Sequence, residues 1–195
     1  MTDKVATIPA VVIDRIVRGR AAANMLLVIG ASAIIAIAAQ VAIPLPFTPV
    51  PLTLQPLAVI LVGVALGSAR GAAAAALYLL EGFSGLPVFA QGHGGPLWLA
   101  GPTAGYLLSY PFAAWLSGFV SERGWGSTFT RAVTGMLLAL AVIYLGGWSW
   151  LATLTDARSA FRAGVTPFVL ADMVKVAVGA ALLPKVQRLI LSSRA

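Results

Sequence analysis

Asp172 and Lys175 are the only charged residues in the apolar run from Pro167 to Pro184. Spaced i, i+3, they share one face of a helix. Thr166 and Pro167 read as its N-cap and first helical position. A rise of 1.5 Å per residue then sets Asp172 about 8 Å and Lys175 about 12 Å along the axis. In a span, that is the outer half of a hydrocarbon core about 30 Å thick. Ionisable groups at such depth are costly and face a bundle interior or a polar cavity. Two chemistries suit the pair. It can be an internal ion pair that locks helices together. Alternatively, it is the polar end of a ligand site, where the carboxylate accepts from N–H donors and the ammonium holds an anion. Helix length and burial leave both open.

A second group of residues offers aromatic and amide surface rather than charge. The glycine-rich stretch from Gly82 to Tyr106 holds Phe89, Gln91, Trp98 and Tyr106. Flat apolar faces with one amide, both donor and acceptor, suit a compact ligand of low polarity. A long loop of this kind is more often functional than idle. Interfacial aromatics on an ordinary outer loop are the plainer alternative. Upstream, Pro44, Pro46, Pro49, Pro51 and Pro56 crowd one uncharged stretch that also holds Gln55. Such a run precludes helix and favours stiff extended chain, as a connector or as a wall or lid of an outward pocket.

Catalysis finds little support. Gly82-Phe83-Ser84-Gly85 is similar to the nucleophile string of rhomboid proteases. A serine nucleophile needs a positioned base, and the single histidine, His93, sits in the same loop. The chain has no cysteine, which excludes disulfides and thiolate chemistry. With one histidine, no multi-His metal site is expected, and no cofactor. No Gly-x-x-x-x-Gly-Lys-Ser/Thr string occurs, so uphill transport would draw its energy from a partner or an ion gradient.

The elements that must position these residues follow from composition. Of 195 residues, 59% are hydrophobic and 10% charged, against roughly 25% charged in an ordinary soluble domain. Mean hydropathy is +0.94. Six acidic and thirteen basic residues cannot cover the surface of a soluble domain of this size, and disorder would require more charge. An all-α, polytopic membrane protein is expected. The net charge of +7 does not mark a nucleic-acid binder, because the basic residues sit at the ends of apolar runs.

Six apolar segments, 24–43, 54–67, 71–88, 101–120, 130–147 and 167–184, read as spans. The third, interrupted by Glu81, Gly82, Gly85 and Pro87, is expected to stop near Leu80. The division is then an N-terminal segment, 1–23, and a membrane domain, 24–191, with outer loops 44–53 and 81–100. Val5, Ile8, Val12 and Ile16 among basic neighbours suit an interfacial helix in the first. With both termini cytoplasmic, the inner side holds Lys4, Arg15, Arg18, Arg20, Arg70, Arg123, Arg131, Lys185, Arg188 and Arg194. The outer side holds only Arg158 and Arg162, the bias of the positive-inside rule. Ala36-Ile37-Ala38 imitates a signal-peptidase site, but the apolar run continues to Ile43 and no cleavage is expected. Ser32/Ala36 and Ala38/Ala42 stand at i, i+4, a spacing for close helix approach within the chain or with a partner.

These strings together resemble the BioY family, the biotin-binding S components of energy-coupling-factor (ECF) vitamin transporters. The resemblance rests on Ile43-Pro-Leu-Pro, Pro49-Val-Pro-Leu-Thr-Leu-Gln55, Gly85-Leu-Pro-Val-Phe89, Gly101-Pro-Thr-Ala-Gly-Tyr-Leu107 and the stretch from Pro167 through Asp172-Met-Val-Lys175. It implies a six-helix S-component bundle in the bacterial cytoplasmic membrane, both termini inside, with biotin bound near the outer face. It further implies an ATPase pair and a transmembrane coupling protein as partners, or a homo-oligomer where these are absent. Asp172 and Lys175 would then match polar substrate contacts, the 81–100 loop the cap, and the small-residue face of the first span the coupling-protein contact. Some members place an arginine near the carboxylate, whereas 81–100 contains none. An S component for another vitamin and an ion-coupled carrier of a small carboxylate are the competing functions.

Overall fold

The computed structural model describes residues 20–192. Most of the expected interfacial segment, 1–19, therefore lies outside the described residues. Helix α1 (Arg20–Gln40) is followed by two-residue strands β1 (Ala42–Ile43) and β2 (Leu52–Thr53), then α2 (Gln55–Leu66) and α3 (Ser68–Phe83). Single 3-10 turns at Ala90–Gly92 and Pro96–Leu99 lead into α4 (Ala104–Glu122). A further turn at Trp125–Ser127 precedes α5 (Phe129–Leu154), α6 (Ala157–Gly164) and α7 (Thr166–Ser192).

α1 is apolar all round, as a lipid-facing helix must be. Ala23, Leu27, Ala31, Ile35 and Ala39, four residues apart, are buried, while Met25, Leu26, Ile29, Ile34 and Ile37 face outward. Lipid is as apolar as leucine, so close packing and interhelical hydrogen bonds must hold such helices together. At the crossing of α2 with α4, a Cβ on Gly63 would lie 2.1 Å from Ser117 Oγ. Ser117 and Ser121 donate into the α2 backbone at Ile60 and Val64, at 3.0 and 3.1 Å. α4 and α5 touch at glycine as well, where a Cβ on Gly105 would meet the Gly146 carbonyl at 2.3 Å.

α1 and α5 are each long and apolar enough to cross a membrane, and α6 with α7 forms a third candidate bent by 41°. The remaining expected spans fall short for visible reasons. α2 has 12 residues and α3 has 16, while α4 is diluted by Ser109, Ser117, Ser121, Tyr106, Tyr110 and Pro111.

Several boundaries depart from expectation. α3 runs on to Phe83 instead of stopping near Leu80, so Glu81 lies on the helix. Gly82 is tolerated there because the ring of Phe89 fills the space beside it. Thr166 is the first residue of α7 rather than its N-cap. The connection after α5 contains a helix of its own, α6, capped by Asp156, whose carboxylate accepts from the amides of Arg158 and Ser159. The proline run forms no helix, but it does not stay extended. It turns at Pro46–Phe47, where the Thr48 amide donates to the Leu45 carbonyl at 3.3 Å, and bends at Pro49–Val50, so that β1 and β2 pair with Ala42 opposite Thr53 and Ile43 opposite Leu52.

Candidate functional site

β2, the 89–98 loop, the start of α4, the middle of α5 and the first three turns of α7 border a cavity with about 800 Å³ of space between and above its walls. Its floor is polar. Asp172, 3% exposed, receives the Lys175 ammonium on Oδ1 at 2.7 Å and the Tyr144 hydroxyl on Oδ2 at 2.5 Å. Lys175 also donates to the carbonyl of Thr53 at 2.7 Å. Thus α7 is tied to α5 through a carboxylate and to β2 through an ammonium. Each carboxylate oxygen can accept a second bond, so Asp172 retains capacity toward the cavity. Beside it, Thr53 Oγ1 donates to Gln55 Oε1 at 3.1 Å, and Gln55 Nε2 donates to Tyr78 at 2.6 Å. Tyr78 passes the chain on to the carbonyl of Val88 at 3.1 Å.

The walls are aromatic and rigidly set. Tyr106 lies in a notch that only glycine permits. A Cβ on Gly147 would stand 2.1 Å from its ring, and one on Gly164 would stand 2.2 Å from its hydroxyl. That hydroxyl donates to the Gly164 carbonyl at 2.7 Å. Phe89 is buried and packs edge-on against Tyr78, Phe83 and Trp98, with centroids 5.5, 5.2 and 6.4 Å away. Gln91, with φ 61° and ψ 28°, is left-handed without being glycine and borders the cavity mouth. Pro49, Pro51 and Pro56 supply the opposite wall, and the Thr48 hydroxyl ties their loop to Ala163 of α6 at 2.8 Å.

The structure brings together Asp172, Lys175, Phe89, Gln91, Trp98 and Tyr106 around this one cavity. It also adds Thr53, Gln55, Thr103, Tyr110 and Tyr144 to the lining. Thr103 Oγ1 is buried with no hydrogen-bond partner, a condition a bound polar atom would relieve. Ser84 and His93 serve no hydrolytic site. Ser84 Oγ donates to the Glu81 carbonyl at 2.7 Å, and His93 Nδ1 donates to the Ala90 carbonyl at 2.8 Å.

The small-residue face of α1 divides. Ser32 is 0% exposed and donates to the Glu81 carboxylate of α3, so it is an internal tie and offers nothing to a partner. Ala36, Ala38 and Ala42 are half-buried, and Ala38 borders an open apolar groove between α1 and α2.

An apolar helical bundle around a cavity with a charged floor and aromatic walls defines a membrane protein built to hold a small molecule. The model of the BioY family matches residues 7–192. The probable biotin transporter BioY of Pyrococcus horikoshii is 38% identical over 155 residues, covering 80% of this chain and 90% of that protein. The biotin transporter BioY of Thermotoga maritima is 36% identical over 162 residues, covering 81% and 92%. The chain belongs to the BioY family, a family of transporter components rather than enzymes. A crystal structure of the S-component for biotin from an ECF-type ABC transporter superposes with a TM-score of 0.75 at 22% identity, covering 88% of this chain and 94% of that one. The two chains share the fold.

Proposed function

We propose that this chain captures biotin at the outer face of the bacterial cytoplasmic membrane, as the S component of an ECF-type transporter. The observation that carries the reading is the cavity itself, whose charged floor and aromatic walls occur in a chain whose relatives are named biotin transporters. Biotin joins an apolar bicycle and methylene chain to a ureido group and a carboxylate. Asp172 accepts a ureido N–H through a free lone pair. Lys175, already donating to Asp172 and Thr53, braces that carboxylate and keeps one N–H in reserve. Phe89, Trp98 and Tyr106 enclose the apolar part, Gln91 stands at the mouth, and Thr103 offers a hydroxyl. No cofactor or metal is needed for this capture.

In this reading six segments traverse the membrane: α1, α2, α3, α4, α5 and α7, with α6 and its Arg158 and Arg162 lying in the outer connection. The extended and loop segments complete the short paths of α2 and α3, since irregular backbone is tolerated at depth where it lines a cavity. Both termini are cytoplasmic, supported by the basic residues gathered on that side. An ATPase pair and a coupling protein supply the energy, and Ala36, Ala38 and Ala42 belong to the face that meets the coupling protein. Where those partners are absent, copies of the chain associate.

A carrier that moves protons through Asp172 is less well supported, because that carboxylate is already held by an ammonium and a phenol. Competition among biotin, thiamine and riboflavin for the purified protein tests the assignment. Displacement of labelled biotin by biotin alone is expected. Displacement by another vitamin would overturn it.

A further inference from the structure

Gln40, the last residue of α1, does not line the cavity, yet its amide grips the loop that covers it. Gln40 Oε1 accepts from the Gly92 amide at 3.0 Å. Gln40 Nε2 faces the Phe89 carbonyl at 3.2 Å, the Val88 carbonyl at 3.4 Å and the Ala36 carbonyl of its own helix at 3.1 Å. The gripped segment is a tight turn closed by the Phe89 amide on the His93 carbonyl at 2.9 Å. It carries both Phe89 and the left-handed Gln91, each of which borders the cavity. One side-chain amide therefore bonds both ends of a segment 4 residues long, and each group it engages is a backbone atom that substitution within the loop cannot remove.

We infer that Gln40 is a positioning residue for ligand retention: it clamps the turn at 89–92 over the cavity and so sets how fast the bound molecule leaves. The inference rests on the capture reading above, though the clamp can be tested without any ligand. The other anchor of the turn, Phe89 packed against Gly82, fixes the side-chain end. The Gln40 amide fixes the backbone end. Releasing the clamp lets the turn lift while the aromatic anchor and the polar floor stay in place. The expected consequence is faster escape with little change in entry, because hydrogen bonds made by a closed lid act mainly on dissociation.

The test uses the full chain in detergent or nanodiscs, with Gln40→Met, which keeps the length and loses the amide, and Gln40→Asn, which keeps the amide and loses the reach. The Gly92 amide also donates to the Phe89 carbonyl at 3.1 Å, a bond within the turn that weakens once the turn lifts. Its hydrogen exchange without ligand is therefore expected to quicken about tenfold in both variants, the scale of one lost hydrogen bond. Labelled biotin is expected to dissociate about tenfold faster, with association changed less than twofold and the thermal midpoint unmoved. Unchanged Gly92 exchange overturns the clamp, whether or not the wild type binds biotin. Altered exchange with an unchanged dissociation rate overturns its role in retention. A fall in thermal midpoint with uniformly faster exchange across the helices also overturns it, since that marks a merely structural residue. A wild type that binds no biotin contradicts the capture reading and leaves the Gly92 exchange result to judge the clamp.

Discussion

The two sides of the cavity are built by different means. On the helix side, Asp172, Lys175, Tyr144 and Tyr106 project from α4, α5 and α7. Each position is fixed by hydrogen bonds of 2.5 to 2.7 Å or by glycine notches that admit no other residue. On the loop side, Phe89, Gln91 and Trp98 hang from two 3-10 turns. They are held by ring contacts, a left-handed residue and an amide reaching over from α1. The charged groups lie on the rigid side and the aromatic cover on the side with the fewest regular bonds. Binding strength and access are thereby separated: preorganised helices present the polar partners at little ordering cost, while the loops can open without disturbing them.

Substitutions on the two sides should therefore fail differently. The largest effect is expected from Asp172→Asn, which leaves the Lys175 ammonium without its buried counter-charge. Breaking a buried pair from one side costs about 3–5 kcal/mol, and thermal unfolding in detergent should read it as a lower midpoint. Tyr144→Phe removes a hydroxyl donating to that carboxylate and should cost about 2 kcal/mol, measured as a fall in both stability and ligand affinity. Gly82→Ala attacks the loop side. Its Cβ would lie 2.1 Å from the Phe89 ring, so the cover must shift, at about 1–3 kcal/mol. Faster proteolysis within 84–95, with the Asp172 ion pair intact in infrared spectra, would mark the effect as local.

Thr103→Val should cost about 1 kcal/mol in ligand affinity while leaving the empty protein as stable or more so, because it removes a buried hydroxyl that has no partner. Equal losses in affinity and stability would break the distinction between ligand contact and scaffold. Smallest is Gln91→Gly, which relieves the left-handed strain but loosens the unfolded chain. A net change within about 1 kcal/mol in thermal unfolding is expected.

The helix side was the more legible in the sequence. Two charges in an apolar run announce themselves, and their spacing alone placed them on one face. Their partners did not, because Tyr144 lies in an unremarkable apolar segment and Thr53 contributes a backbone carbonyl, which any residue carries. Loop aromatics could be named from composition, whereas the depth of Phe89 depended on Gly82 meeting it across a turn. α6 is not legible as a span because its residues, Ala157–Gly164, are too polar and too few to cross a bilayer. The spacing of Ser32 leaves packing within the chain and contact with a partner equally open, and only the resemblance puts it on the partner's face, because spacing marks small residues without saying which neighbour they admit. The neighbour is Glu81, 49 positions away.

The central claim is that Asp172 and Lys175 form the polar end of a biotin site. Calorimetric titration of biotin into the purified wild type and Asp172→Asn, both verified as folded at the temperature used, tests it most directly. The account predicts saturable one-to-one binding to the wild type and at least tenfold weaker binding to the variant, the scale of a lost charge-assisted hydrogen bond. Equal affinity in the two proteins, or no binding to the wild type, would contradict it.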